Sequence, residues 1–451
     1  ISKKGMSSLL TSRFRSTTYS NNLNDIKSSP TGNIFSLSKS MGLKNLNLNS
    51  NFTVQNLNRG QEFEYINADH VNKINIHSDL NWILKNKAHE FNFSIDYFYQ
   101  GDSGKTKLST GAVLFDNSTI IDRKQFRLSH FFYLENKAKI IQTLRQDYYS
   151  RNYSQISRIN SLNKRDLTKE ENLEYEIVYF NKFKYVSINT GLEISKPIYM
   201  SDRIEGGKQS KKINALFFQQ DWNILKSSNI VTGFRTDQYG DTIVFNPRIA
   251  YARSLSKNFK FRTSYGHGFR APSFMETLIN WDHVQFNYQV IGNPNLKPES
   301  SKGMTFGLEY SNQKTLQVSN LIYHNRFKNL IEDYTLEPGK LSYYNINIAS
   351  FTGLETLVKY ILNSNTSINY NLNILRNLND EGDQIPNTVP LSMAIRFDYK
   401  FPSKNYETSI NIKGLSRMDY QEYDPQQGIY ISSGEIDPYA LIDLQLKYNI
   451  N

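Results

Sequence analysis

From His89 to Tyr99 the chain reads HEFNFSIDYFY, and its side chains alternate in character. Phe91, Phe93, Ile95, Tyr97 and Tyr99 share one parity, while Asn92, Ser94 and Asp96 share the other. Successive side chains of a β-strand point to opposite faces, so a period of two marks a strand with one apolar and one polar face. The pattern recurs. Ile74, Ile76, Leu80, Trp82 and Leu84 oppose Asn75, His77, Asp79 and Asn81. Ile368, Tyr370, Leu372 and Ile374 oppose Asn369, Asn371 and Asn373. Ile442, Leu444, Leu446, Tyr448 and Ile450 oppose Asp443, Gln445, Lys447, Asn449 and Asn451. Shorter versions run near 214–225, 229–237, 248–255, 304–310, 316–323 and 392–401. Turn-like pieces such as Leu255-Ser256-Lys257-Asn258 and Asn312-Gln313-Lys314 separate them, which predicts up-and-down hairpins. No stretch of similar length keeps a helical period, and no helix cap stands out.

Two architectures accept many such strands. A soluble sandwich buries the apolar parity between two sheets. A membrane barrel turns that parity to lipid and keeps the other wet. The polar parity carries Asp, Asn, Lys, Arg and Gln, which suits a water-filled interior. The aromatics gather towards strand ends, as at Tyr97, Tyr99 and Tyr448, where interfacial girdles lie. No apolar run approaches the roughly 20 residues of a membrane helix. The mean hydropathy of −0.57 is compatible with a barrel, because only alternate residues meet lipid. At about 9–11 residues per span, 451 residues supply on the order of 18–22 strands. The expectation is an all-β, antiparallel up-and-down transmembrane β-barrel occupying residues 1–451, with no linker dividing it. The polar segments Arg151–Glu171, Asn377–Asn387 and Gln421–Pro438 read as outer loops.

The chain has no Cys and a formal net charge of +11. Scattered over the surface, the excess is ordinary solvation; gathered in a lumen or mouth, it attracts an anionic ligand. The lysines form no stripe beside stacking aromatics, so nucleic acid is not an expected partner. No secretory signal pattern follows Ile1, which reads as the start of a mature or partial chain.

Catalytic motifs are absent. Gly101–Ser109, GDSGKTKLS, has Tyr99 where a phosphate-binding loop needs its first Gly. The seven His, at 70, 77, 89, 130, 267, 283 and 324, are spread along the chain without metal-site spacing. No Gly-x-Ser-x-Gly elbow occurs. Neither an enzyme, nor a bound metal, nor a cofactor is expected.

One segment breaks the meander. The strand Phe259–Phe269 puts Phe259, Phe261, Tyr265 and Phe269 on its apolar parity, with His267 beside them at an interface. Lys260, Arg262, Ser264, Gly266, Gly268 and Arg270 take the lumenal parity. Glycines at 266 and 268 leave room for another backbone, Arg270 offers a fixed cation to a carboxylate, and Pro272 ends the pairing. Two boxes result: Phe269-Arg270-Ala271-Pro272 and Asn293-Pro294-Asn295-Leu296-Lys297-Pro298-Glu299-Ser300. Both, in this order and spacing, resemble the paired boxes of TonB-dependent outer-membrane receptors. The neighbouring segments Phe217–Trp222, Gly233–Asp241, Phe245–Leu255, Gly307–Asn312 and Tyr343–Glu355 resemble the strands around them, so the likeness covers 215 to about 355.

That resemblance implies a barrel of about 22 strands in the complete protein. It also implies an N-terminal plug, contacted by Gly266, Gly268 and Arg270, and import of a scarce bulky ligand with energy delivered by TonB. The location would be the cell outer membrane of a Gram-negative bacterium. No plug-like segment or TonB box is read in these residues, and the chain stops on a strand without the usual terminal aromatic. The expectation is a barrel portion lacking the plug and the last strands. The cargo stays open among siderophore, haem, cobalamin, glycan and peptide. His283 lies where some haem receptors of the family place a ligand, and His77 has lumenal parity as a second candidate. Trp281, Phe286 and Tyr288 can stack on a ring or pack the loop. The alternative function is a non-transporting scaffold that docks a surface lipoprotein or another complex subunit. Outer-membrane lipid is the remaining partner.

Overall fold

The computed structural model describes residues 6–16, 31–58, 70–107, 112–161, 163–225, 227–283, 288–402, 405–424 and 429–448; the side chains of 6–16, 31, 58, 107, 136, 283, 421–424 and 429–433 fall outside that description. The described strands form one 23-stranded sheet and one two-stranded hairpin. Twenty of them run ten residues or more. Pairing is antiparallel throughout the described ladders except for a two-residue parallel contact of Gln289 and Val290 with Lys340 and Leu341. Contacts divide the chain into two compact units: Ile1–Lys182 with Asn189–Leu216 and Asp237–Thr242, and Phe183–Ile188 with Phe217–Thr236 and Ile243–Asn451.

In the first unit, Phe93, Leu128 and Leu144 face one another across three strands, as do Ile95 and Phe126. These rows are the outward face: Ile95 is 44% exposed and Trp82, at the strand end, 48%. Asn92, Ser129 and Thr143 form the row of the opposite parity, and Ser129 and Thr143 are buried and share a hydrogen bond at 3.3 Å. The second unit repeats the inversion. Along Glu299–Ser311, Met304, Phe306 and Leu308 are exposed while Thr305, Gly307 and Glu309 are less so. Twelve hydrophobic residues are buried among the described residues against fifty-two large ones exposed. A water-soluble sandwich would do the reverse, since monomers in water rarely expose continuous apolar surface. Lipid must cover this face, and the soluble alternative falls.

The two ends of the strands differ. In the second unit, Asn312 closes one turn with its Oδ1 accepting from the amides of Lys314, Thr315 and Leu316 at 3.0, 2.8 and 2.9 Å. Gln313 takes φ 62° there. Gln313 Nε2 donates at 3.2 Å to the carbonyl of Lys257 in the neighbouring short turn. The rings of Phe259 and Tyr310 meet at 4.8 Å beside these turns, as a girdle requires. At the other end, Leu316–Glu337 and Lys340–Asn363 extend to 22 and 24 residues. Each is at least twice the roughly 9–11 needed to cross lipid. Short turns mark the periplasmic end of an outer-membrane barrel and long connections the extracellular end.

Two expected loops, Arg151–Glu171 and Gln421–Pro438, are corrected, and the third, Asn377–Asn387, holds except at its first two residues. Arg151–Glu171 is mostly strand: Lys139–Ser157 and Lys164–Lys182 stay paired up to Gln155 and Lys164. Beyond the lipid both faces are wet, so the ladder continues without alternation. Asn377 and Leu378 still belong to a strand, and Asn379 turns the chain by accepting from the amides of Glu381 and Asp383. Gln421–Pro438 contains most of a hairpin, Met418–Asp424 with Ile429–Ile436. Gly101–Lys107 simply continues the strand His89–Lys107. Among the described residues an α-helix that was not anticipated, α1 (Phe274–Leu278), makes a single turn following the first box.

Candidate functional site

Both boxes lie in the second unit, where the ladder joins them. Phe259–Arg270 pairs with Glu299–Ser311 in unbroken register, placing Arg270 opposite Glu299. Ser273 caps α1 by accepting from the amide of Glu276 at 3.1 Å, while the amide of Ser273 donates to Glu276 Oε2 at 2.7 Å. This capping box aims the Glu276 carboxylate back at Arg270. Arg270 Nη1 donates to both its oxygens, at 2.9 and 3.0 Å, and Nη2 donates to Glu299 Oε1. Glu299 is 7% exposed and also accepts from the amide of Ile331 at 2.9 Å. Burial pushes the Glu276 carboxyl up, but its bonds to Ser273 and Arg270 win and hold it below its ordinary value. The lumenal cation expected at Arg270 therefore already has two carboxylates from its own chain.

The second box is fastened as tightly. Asn293 donates from Nδ2 to the carbonyl of Tyr343 at 2.8 Å and accepts from the amide of Asn295 at 3.0 Å. Asn345 accepts from the amide of Lys297 at 2.8 Å and donates to the carbonyls of Lys297 and Asn329. Asn329 Nδ2 donates to the carbonyl of Pro298. Gly292 is a close approach: a Cβ there would lie 2.5 Å from the Leu278 nitrogen and from the Thr277 carbonyl carbon. Between the boxes, Asn280–His283 pairs with Tyr288–Ile291. Seven of the twelve buried hydrophobics belong to this layer: Ile279, Trp281, Leu296, Ile331, Leu341, Ile346 and Ala349. The boxes thus fasten the described parts of the connecting segment, 274–283 and 288–298, against their own strands.

The other expected residues are placed as follows. Gly268 faces its neighbour, since a Cβ there would lie 2.6 Å from Ser301 Oγ; one on Gly266 would sit 3.5 Å from Arg248 Cβ, an ordinary contact. Trp281 is 7% exposed, which fits packing of the loop. Tyr288 is half-buried and pairs with His283, whose side chain lies outside the described residues, as does Phe286. His267 Nε2 lies 2.9 Å from the Tyr265 hydroxyl. Both nitrogens of His77 face carboxylates, Asp96 and Asp79, at 2.5 Å. The spread of His in the sequence is not kept in space: His89 Nδ1 and His130 Nε2 are 3.0 Å apart, stacked with Phe91 and Phe132. No group of His, Asp and Glu among the described residues could hold a metal.

In the first unit the polar face carries a row that sequence reading missed. Phe98, Arg123, Tyr149 and Glu170 are direct cross-strand neighbours. The Arg123 guanidinium lies 5.7 Å from the Phe98 ring centre and 5.9 Å from that of Tyr149, and Arg151 lies 5.6 Å from Tyr153. Nearby, Arg203 grips the buried Asp166 through two bonds of 2.9 and 2.7 Å. A guanidinium beside aromatic rings still has N–H groups to offer an anion.

A family model, TonB dependent receptor-like beta-barrel, matches residues 5–451. The chain belongs to the TonB-dependent receptor β-barrel family. Its place is the cell outer membrane, and its fold class is the transmembrane antiparallel barrel. Iron-regulated outer membrane virulence proteins of two Vibrio cholerae strains are 31% and 30% identical over 118 residues, which is 26% of this chain and 18% of those proteins. The match spans under a fifth of the length of these relatives. Among solved structures, a variant of the ferric enterobactin receptor of Pseudomonas aeruginosa superposes with a TM-score of 0.76 at 16% identity, covering 100% of this chain and 73% of that one. The siderophore receptor PirA of the same organism gives 0.74 at 14%, covering 100% and 75%. The copper transporter OprC gives 0.76 at 12%, covering 99% and 72%. Family and neighbours are receptors and transporters.

Proposed function

We propose that the protein is a TonB-driven importer whose cargo is an anionic, ring-bearing iron chelate of the siderophore class. Energy would reach it from TonB through a plug seated against the polar face, with Gly266 offering backbone access. The observation that carries the cargo assignment is the Phe98–Arg123–Tyr149 row with Arg151 beside it: flat rings for an aromatic ligand and guanidinium edges for its charge. Three other facts favour it. The relatives include proteins named for iron regulation, a ferric enterobactin receptor and a siderophore receptor. The chain carries an excess of eleven positive charges. Trp281 is buried rather than turned to a haem face.

The test is a binding panel on the full-length protein: ferric catecholate, hydroxamate and hydroxycarboxylate chelates, haemin and copper. The reading expects one anionic iron chelate to bind and Arg123→Ala to weaken it about tenfold, the ~1–2 kcal/mol of a desolvated cation–π and charge contact. Uptake of that chelate in cells should stop when the proton gradient is collapsed. Exclusive binding of haemin or copper, or an Arg123→Ala variant with unchanged affinity, overturns it.

A further inference from the structure

The outward face of the second unit is mainly apolar from its short turns upwards, broken by the hydrogen-bonded pair Asn320 and Thr356, then turns cationic. Thr263, Phe306, Ile322, Leu354 and Ile374 form one cross-strand row on that face. Phe306, Ile322 and Ile374 in it are 52%, 50% and 43% exposed. The next row is Tyr265, Met304, His324, Thr352 and Arg376; the one after is His267, Lys302, Arg326 and Ser350; the third is Phe269, Ser300, Lys328 and Ile348. Four permanent cations, Lys302, Arg326, Lys328 and Arg376, therefore crowd onto a lipid-facing surface together with His267 and His324. All four are exposed.

No Asp or Glu occupies these three rows. On the same strands, Glu299, Glu309 and Glu355 have the opposite parity and face the polar side, while Glu332, Asp333 and Glu337 lie beyond the three rows, towards the end of Leu316–Glu337. Among the described residues, none of the four cations forms an ion pair. The two His are held by a tyrosine and a threonine, His324 Nδ1 lying 2.8 Å from Thr352 Oγ1. A concentration of like charge without counter-ions opposes its own folding. It is stable where an external anion supplies the missing charge.

Position identifies that anion. His267 lies eight residues along its strand from Phe259 at the short-turn girdle, about 27 Å at 3.4 Å per residue. With a strand tilt near 40° that is about 21 Å of height, close to the roughly 25 Å apolar band of an outer-membrane barrel. The cations thus stand at the membrane's extracellular interface, the end of the long connections. The patch crosses five strands, about 19 Å at 4.8 Å per strand, wider than one phosphate needs. We propose that it binds a phosphate-bearing glycolipid of the outer leaflet, a bisphosphorylated lipid A type. The headgroup phosphates would bridge Lys302, Arg326, Lys328 and Arg376, and the acyl chains would lie over Met304, Phe306, Ile322 and Ile374.

The test uses delipidated full-length protein in detergent, titrated with bisphosphorylated lipid A, its dephosphorylated form, phosphatidylglycerol and inorganic phosphate, read by thermal shift and native mass spectrometry. Bisphosphorylated lipid A should raise Tm and remain bound in the spectrometer. Lys302→Ser with Arg326→Ser should weaken it about thirtyfold, at about 1 kcal/mol per interfacial charge. Because these side chains project outward and repel one another, the variant should match or slightly exceed the wild-type Tm before lipid is added. Thr352→Ser, in the same patch but uncharged, should bind as wild type. Equal binding of the dephosphorylated lipid, of phosphatidylglycerol or of inorganic phosphate overturns the assignment, as does a charge-deleted variant that binds normally.

Discussion

Replacing Arg270 by Ala would strand two carboxylates. The Arg270 side chain is 44% exposed, but those of Glu276 and Glu299 are only 17% and 10% exposed. Exposed ion pairs contribute ~0–1 kcal/mol, whereas removing one partner of a buried pair costs ~3–5 kcal/mol. A half-exposed guanidinium over two buried acids falls between, at about 2–3 kcal/mol. The loss is local, because the clamp joins α1 and the second box to strands that keep their own ladders. Hydrogen exchange reads it directly. The amide of Gly292 donates to the carbonyl of Ile279, that of Asn293 to the carbonyl of Glu276, and that of Ile331 to Glu299. At 1.4 kcal/mol per factor of ten, these amides should exchange about 30 to 150 times faster in Arg270→Ala. The amide of Ser311, bonded to Asn258 in the far turn, should not change. Arg270→Lys should fall between, since an ammonium cannot fork onto both acids. Acceleration below about threefold at Asn293 and Ile331, or an equal rise at Ser311, would refute the clamp.

Gly292→Ala should loosen the same layer by about 1–3 kcal/mol, because the new methyl meets backbone atoms at 2.5 Å, whereas Gly266→Ala should leave stability near wild type; exchange at Asn293 distinguishes them. The Glu276 carboxyl titrates below its ordinary value of 4.5, so its contribution is complete above that pH and is lost as the pH falls through the lowered folded value; exchange at Asn293 followed from pH 7 to pH 3, corrected for intrinsic rates, should accelerate only in the acidic part. Arg203→Ala leaves Asp166, whose side chain is fully buried, without its partner and should cost ~3–5 kcal/mol locally, seen as faster exchange at Leu167, whose amide is bonded to Asp202; Asp166→Asn should cost less.

The strands were legible because lipid enforces their alternation. Phe91, Phe93, Ile95, Tyr97 and Tyr99 take the parity the sequence shows, as do the polar residues facing them. Where the same strands leave the lipid, at Arg151–Ser157 and Lys164–Glu171, no solvent asymmetry remains to write a pattern, and the segment reads as loop. The boxes were visible, but the use of Arg270 was not, since its partner Glu276 sits on a helix one turn long. That helix had a local signature: Ser273 and Glu276 are spaced as a capping box, and Gly292 announced a close backbone approach. The Phe98–Arg123–Tyr149 row and the cationic patch left no local signal, because each is assembled by register between strands distant in sequence.

Whether the apolar parity faces lipid is tested most directly along Met304–Glu309. The chain has no Cys, so single cysteines can be placed at each position and spin-labelled in reconstituted membranes. Labels at 304, 306 and 308 should collide with dissolved oxygen and avoid a water-soluble nickel chelate, and labels at 305, 307 and 309 should do the opposite. An inverted phase, or the same accessibility at all six positions, would contradict a sheet that shows its greasy side to the membrane.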